Sequence, residues 1–162
     1  MQSEIEVFWP MLNSEDFQVQ EKGFQKWTEF VQNHPCYFES IKKHLTKHFC
    51  EVYQKMRFHD FHVQDIEYHS NPPKMTEVRL FIYDYHEDHS KNLYFTITYR
   101  NVSKYSINVE STQYAISWGY DIFEILENGL LKHRILCSDR TSIEIVFKTI
   151  NIVKSKPSVT SE

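Results

Sequence analysis

Near Phe58 the spacing of apolar residues changes from three-to-four to two. Helices and strands demand different periods, so a chain with this switch folds as a helical segment followed by a sheet. Before the switch, Phe38, Ile41, Leu45, Phe49, Val52 and Met56 recur at three, four, four, three and four residues, one face of a helix. Lys42, Lys43, Lys47, His48 and Glu51 fall between them and point elsewhere. Upstream, Phe17, Phe24, Trp27 and Val31 recur at seven, three and four. They predict a helix opened by Ser14, Glu15 and Asp16 and stopped near Asn33-His34-Pro35. Gly23 weakens it by about 1 kcal/mol relative to Ala. The two helices read as an antiparallel hairpin over 14–58.

After Phe58, Val78, Leu80 and Ile82 alternate with Arg79, Phe81 and Tyr83, and Leu93, Phe95, Ile97 and Tyr99 alternate with Tyr94, Thr96, Thr98 and Arg100. The polar tract 86–92 joins these two strands. Asn128-Gly129 predicts a two-residue type I′ hairpin between 121–127 and 130–137. A last strand runs through Ile143, Ile145 and Phe147 to about Val153, and the tail 154–162 reads as disordered. The expected fold is α+β: one domain over 1–153, with a helical hairpin packed on an antiparallel β-meander or half-barrel of six to seven strands. Phe81, Tyr83 and Tyr85 make the second sheet face apolar as well. That face is either closed by sheet curvature or left as a surface for a partner.

Composition removes several function classes. Apolar residues at 41 % and aromatics at 15 % exclude a disordered chain. With three glycines, neither GxGxxG nor GxxxxGK[ST] can be written, so no glycine-rich phosphate cradle exists. A formal charge of −4 disfavours a polynucleotide partner. Met1–Glu6 lacks a basic lead into an apolar run, and no apolar stretch is long enough to span a bilayer. Cys36, Cys50 and Cys137 form no CxxC pair and read as free thiols of a cytoplasmic protein.

Histidine is over-represented, with nine residues, five of them between 59 and 89 beside Asp60, Asp65, Asp84 and Asp88. Imidazole with carboxylate is ordinary ligand chemistry for zinc, iron or manganese. One reading is therefore a metal-dependent hydrolase using His59, Asp60, His62 and the 86–89 loop. The HxxH of that loop lacks the helical HExxH context, and His59-Asp60 leads into a strand rather than an all-helical phosphohydrolase scaffold, so a structural role at the strand entry competes. No GxSxG elbow is present, and Cys50 falls among apolar helix positions. Trp118-Gly119-Tyr120-Asp121 with Glu124 and Glu127 is an acidic, aromatic stretch of the kind a basic partner would dock on, or an ordinary strand end.

The run Arg57–Val63 with its His-Asp doublet, the alternating strand 93–102, the tryptophan-led Trp118–Ile122 and the closing strand 143–152 together resemble a group of small, largely uncharacterised bacterial proteins best represented in Bacillus and its relatives. The resemblance spans residues 57–153 and implies an accessory or toxin-neutralising immunity factor, with no catalytic residue to carry over. The expectation is a non-enzymatic cytoplasmic protein-binding module without cofactor or metal. It would act on a basic, toxin-like partner through Trp118, Tyr120, Asp121, Glu124, His59 and Asp60. A small-ligand-binding half-barrel is a further alternative.

Overall fold

The computed structural model describes residues 2–34, 36–70, 76–108, 116–138 and 140–156. The chain divides into two compact units, one ending at Lys43 and one beginning at His44.

The first unit holds α1 (Gln2–Leu12), α2 (Phe17–Asn33) and α3 (Tyr37–Lys42). Helix α1 lies upstream of the expected hairpin over 14–58. Its apolar residues Ile5, Phe8, Trp9 and Leu12 are spaced as one helix face, and all four are buried. The helical hairpin is therefore α1 with α2. Asp16 caps α2, its Oδ1 accepting from the amides of Gln18 at 2.8 Å and Val19 at 3.4 Å. The buried face of α2 is Gly23 with Phe30, whereas Phe17 and Val31 are exposed. Phe8 meets Trp27 edge-on and tilts against Phe30, so the aromatic contacts set the face of α2 that the wider spacing of Phe17 and Val31 misread.

The expected long second helix breaks at residues 43–46. Thr46 adopts an extended backbone and caps α4 (Lys47–Met56), its hydroxyl accepting from the Phe49 amide. The apolar stripe continues across this break, which is why periodicity alone read through it. Helix α4 belongs to the second unit, and Arg57 ends it in the left-handed region.

The second unit is an antiparallel sheet of eight strands: β1 (His62–His69), β2 (Glu77–Asp84), β3 (Leu93–Arg100), β4 (Lys104–Asn108), β5 (Ile116–Ile125), β6 (Leu131–Cys137), β7 (Ser142–Phe147) and β8 (Thr149–Ser155). Their order is β4-β7-β6-β5-β1-β2-β3-β8. The expected last strand is two strands. Ile143, Ile145 and Phe147 are buried, then Ile150 and Ile152, so the buried parity slips by one at the exposed Lys148 and Thr149. The Lys148 amide donates to the Arg100 carbonyl at this kink. Since β7 lies next to one edge and β8 forms the other, the sheet curls back on itself as a half-barrel. Strand β8 also takes in Lys154 and Ser155, paired with Phe95 and Tyr94, residues expected to belong to the tail. The rest of that tail, 157–162, lies outside the described residues.

The interior is filled by Val78, Leu80, Ile82, Ile97, Tyr99, Trp118, Ile135, Ile145 and Phe147, each at most 1 % exposed. Cys137 is a buried free thiol of this interior. The 126–130 turn is not type I′. Gly129 has φ 78 while Asn128 keeps a negative φ, and the Gly129 amide donates to the Leu126 carbonyl. That is a three-residue loop closed by a left-handed glycine.

Candidate functional site

Four of the six expected binding residues lie on β5, and a bulge decides where each one points. Between Trp118 and Tyr120 the register against β6 shifts by one residue at Gly119. A Cβ at Gly119 would sit 2.9 Å from the Leu136 carbonyl oxygen, so only glycine fits there. Ordinary alternation would put Trp118 and Tyr120 on one face and Asp121 on the other. With the extra residue, Trp118, Asp121 and Phe123 all face the interior, and Tyr120 and Glu124 face away from it.

The expected acidic-aromatic surface is thereby taken apart. Trp118 is fully buried, packed against Phe58 and His133, and is a core residue rather than an anchor for a partner. Glu124 is also buried, in a charge ladder across strands. Its Oε2 lies 2.9 Å from Arg134 Nε and 3.6 Å from Lys132 Nζ, and Arg134 Nε lies 3.4 Å from Glu144. Glu124 is therefore not an exposed carboxylate for a basic partner, because its negative charge is already matched inside the fold.

Asp121 joins an internal relay. Its Oδ2 accepts from the Tyr53 hydroxyl of α4 at 2.7 Å and lies 2.9 Å from His133 Nε2. The other ring nitrogen of His133, Nδ1, is 2.8 Å from the Tyr99 hydroxyl. Phe123 stacks on the His133 ring at 3.8 Å between centroids. One assignment gives each of these contacts a donor and an acceptor: Tyr99 donates to Nδ1, Nε2–H donates to Asp121 Oδ2, and Tyr53 donates to Asp121 Oδ2. The imidazole is then neutral. Burial lowers the His133 pKa, and the hydrogen bond and charge of Asp121 oppose that only in part. Burial likewise raises Tyr99 well above the usual phenol range, with the Asp121 charge adding to it. The triad-like order of carboxylate, imidazole and hydroxyl has Tyr99 fully buried, so it has no path to a substrate.

His59 and Asp60 form the turn between α4 and β1, with Asp60 at φ 70. The Asp60 amide donates to the Trp118 carbonyl and the Trp118 amide to the Phe61 carbonyl, which locks the doublet against β5. Both side chains stay in solvent, 2.9 Å apart, and the His59 ring meets Tyr120 edge-on. Of the six expected residues, these three share one surface.

Next to them lies a feature that periodicity flagged as a second apolar face. His62, Tyr83 and Tyr94 stand in register across β1, β2 and β3. Their rings stack at 5.1 Å and 5.5 Å with planes within 23°. Tyr85 leans on His62 at 5.5 Å and is 49 % exposed. Asp65 stands opposite Phe81 on this face, whereas Asp84, in step with the buried Ile82, is on the other parity of β2, where it holds His86 Nε2 at 3.1 Å. Desolvation, with Tyr94 and Tyr85 adding to it, raises the Tyr83 pKa.

Among the described residues, the histidines expected to act together do not converge. His59 pairs with Asp60, His62 with tyrosines and His86 with Asp84, and among the described residues no three His, Cys, Asp or Glu side chains could hold a metal ion. The side chain of His89 lies outside the described residues. Among the described residues, no helix is long and apolar enough to cross a membrane. No protein family, curated protein or solved structure matches the chain.

Proposed function

We propose that this chain is a non-enzymatic protein-binding module whose contact surface is the outer face of β1, β2 and β3, and that its partner is a basic protein segment. The observation that carries this reading is the stacked row His62–Tyr83–Tyr94 with the exposed Tyr85 at its end. Aromatic side chains held rigid by their neighbours present large contact area at little entropic cost. The carboxylates around the row set the partner's charge. Asp60 is largely exposed and Asp65 is exposed. The nearby Lys91 already pairs with Asp88. Guanidinium groups suit such a surface doubly, stacking on tyrosine and pairing with carboxylate.

An immunity-type factor that blocks a basic toxin domain is the biological role this surface suits, and the net charge of −4 would speed its association. The free thiol of the exposed Cys36 fits a reducing compartment such as the cytoplasm.

The test is calorimetric titration of the whole chain with an arginine-rich peptide, beside an acidic peptide of equal length. Saturable binding of the basic peptide alone is expected, weakening as salt rises from about 20 to about 150 mM. Replacing Tyr83 and Tyr94 by Ala should weaken it at least about ten-fold. No binding of the basic peptide, or equal binding by the double variant, overturns the reading.

A further inference from the structure

We propose that α4 is a proton-sensitive latch: when His133 takes up a proton, α4 leaves the sheet as a unit while the strands beneath it stay paired. The inference is independent of the binding surface proposed above.

Helix α4 differs from every strand in how it is held. The strands share backbone ladders, whereas α4 is attached by side chains. At its start the Thr46 hydroxyl donates to the Ile150 carbonyl of β8 at 3.2 Å. In its middle Phe49 and Tyr53 meet Phe123 edge-on. Near its end the Tyr53 hydroxyl donates to Asp121. The last contact is one end of the buried relay, so the state of His133 is felt at the helix.

Proton uptake disturbs the relay at a definite atom. In the neutral ring Nδ1 accepts from Tyr99. In the charged ring Nδ1 donates, so the Tyr99 hydroxyl must accept, and its own proton loses the acceptor that the neutral ring provides. The groups facing His133 are Tyr99 from β3, Asp121 from β5 and, through Asp121, Tyr53 from α4. Phe123 and Trp118 on β5 and Ile145 opposite on β7 carry no charge. The one carboxylate therefore stabilises the imidazolium while the rest of the wall excludes water. Asp121 and Tyr53 are the half-buried members, and His133 and Tyr99 are fully buried. Water reaches the imidazolium with least disruption by the side where Tyr53 sits, and opening that side lifts α4. Burial already holds the His133 pKa below its ordinary value in the docked state, so an opened state binds the proton more tightly and is favoured as pH falls.

Amide hydrogen exchange of the full chain at about pH 7 and about pH 5, corrected for intrinsic rates, tests this. The α4 amides Val52–Met56 should lose up to about ten-fold in protection per pH unit below about 6.5 and should stay clearly less protected than the β6 and β7 amides at every pH, because they exchange by an opening short of global unfolding. In His133→Gln, which can still donate to Asp121, α4 protection should not change with pH. In the unaltered chain, the His133 ring signals and the α4 amide signals should shift with one common midpoint, a measurement that needs no variant to fold. Unchanged α4 protection at low pH, the same loss in His133→Gln, separate midpoints, or α4 protection equal to that of β6 and β7 would each overturn the latch.

Discussion

Gly23 shows how one missing side chain sets a helix crossing. A Cβ at this position would lie 2.8 Å from the Leu12 amide nitrogen and 2.9 Å from the Met11 carbonyl carbon, both backbone atoms that cannot swing aside. Its apparent weakness as a helix former is thus the condition for α1 and α2 to approach. Gly23→Ala gains about 1 kcal/mol in intrinsic propensity yet should destabilise the chain by about 1–3 kcal/mol through overpacking. Denaturant unfolding checks this, and a midpoint at or above that of the unaltered chain would mean that the helices can separate freely. Gly119 acts in the same way against Leu136, with a different consequence, since it swings Asp121 inward to His133.

Elements in this chain end where a local hydrogen bond or a backbone sign requires it, even where the apolar period runs on. Helix α4 begins at Thr46 because its hydroxyl caps the Phe49 amide, although the stripe from Phe38 to Met56 is unbroken. The β5–β6 loop turns on Gly129 alone, at φ 78 with no atom within 4 Å of where a Cβ would be. Replacing it tests backbone sign without a packing change. Gly129→Ala should destabilise by about 1 kcal/mol and Gly129→Asn by clearly less, since Asn tolerates the left-handed region. Equal thermal midpoints for the two variants would show that the loop takes another turn type. The kink at Lys148 is the third such case, since one shifted residue converts a single strand into β7 and β8 and lets the sheet curl.

At the scale of the whole molecule, two buried neutral groups bound the pH range of stability. His133 binds a proton less readily folded than unfolded, so stability falls as pH drops below the unfolded value of 6.5. Tyr99 loses its proton less readily folded than unfolded, so stability falls as pH rises above 10. Each limb has a limiting slope of about 1.4 kcal/mol per pH unit for one group. Unfolding free energies across pH should therefore form a plateau between these limits, and Tyr99→Phe should flatten the alkaline limb relative to the unaltered chain. An alkaline limb unchanged in Tyr99→Phe would assign it to other groups.

The sequence by itself determined the helix-then-sheet order, the strands 78–83, 93–100 and 131–137, the core placement of Leu45, Phe49 and Cys50, and the doubly apolar strand β2. Each follows from a local period, and burial of an apolar face is what such a period reports. Tertiary structure alone decided which residues meet. Trp118, Tyr120, Asp121 and Glu124 look like one acidic, aromatic cluster in sequence, yet a single bulge at Gly119 parts Trp118 from Tyr120 and Glu124 and puts it on the inward face with Asp121. Nothing in the sequence pairs Tyr53, Asp121, Tyr99 and His133, because they come from a helix and three strands brought together only by the closing of the sheet. A one-residue shift in a period-two element reverses every later side chain, so strand register, and with it the site, was fixed by the fold.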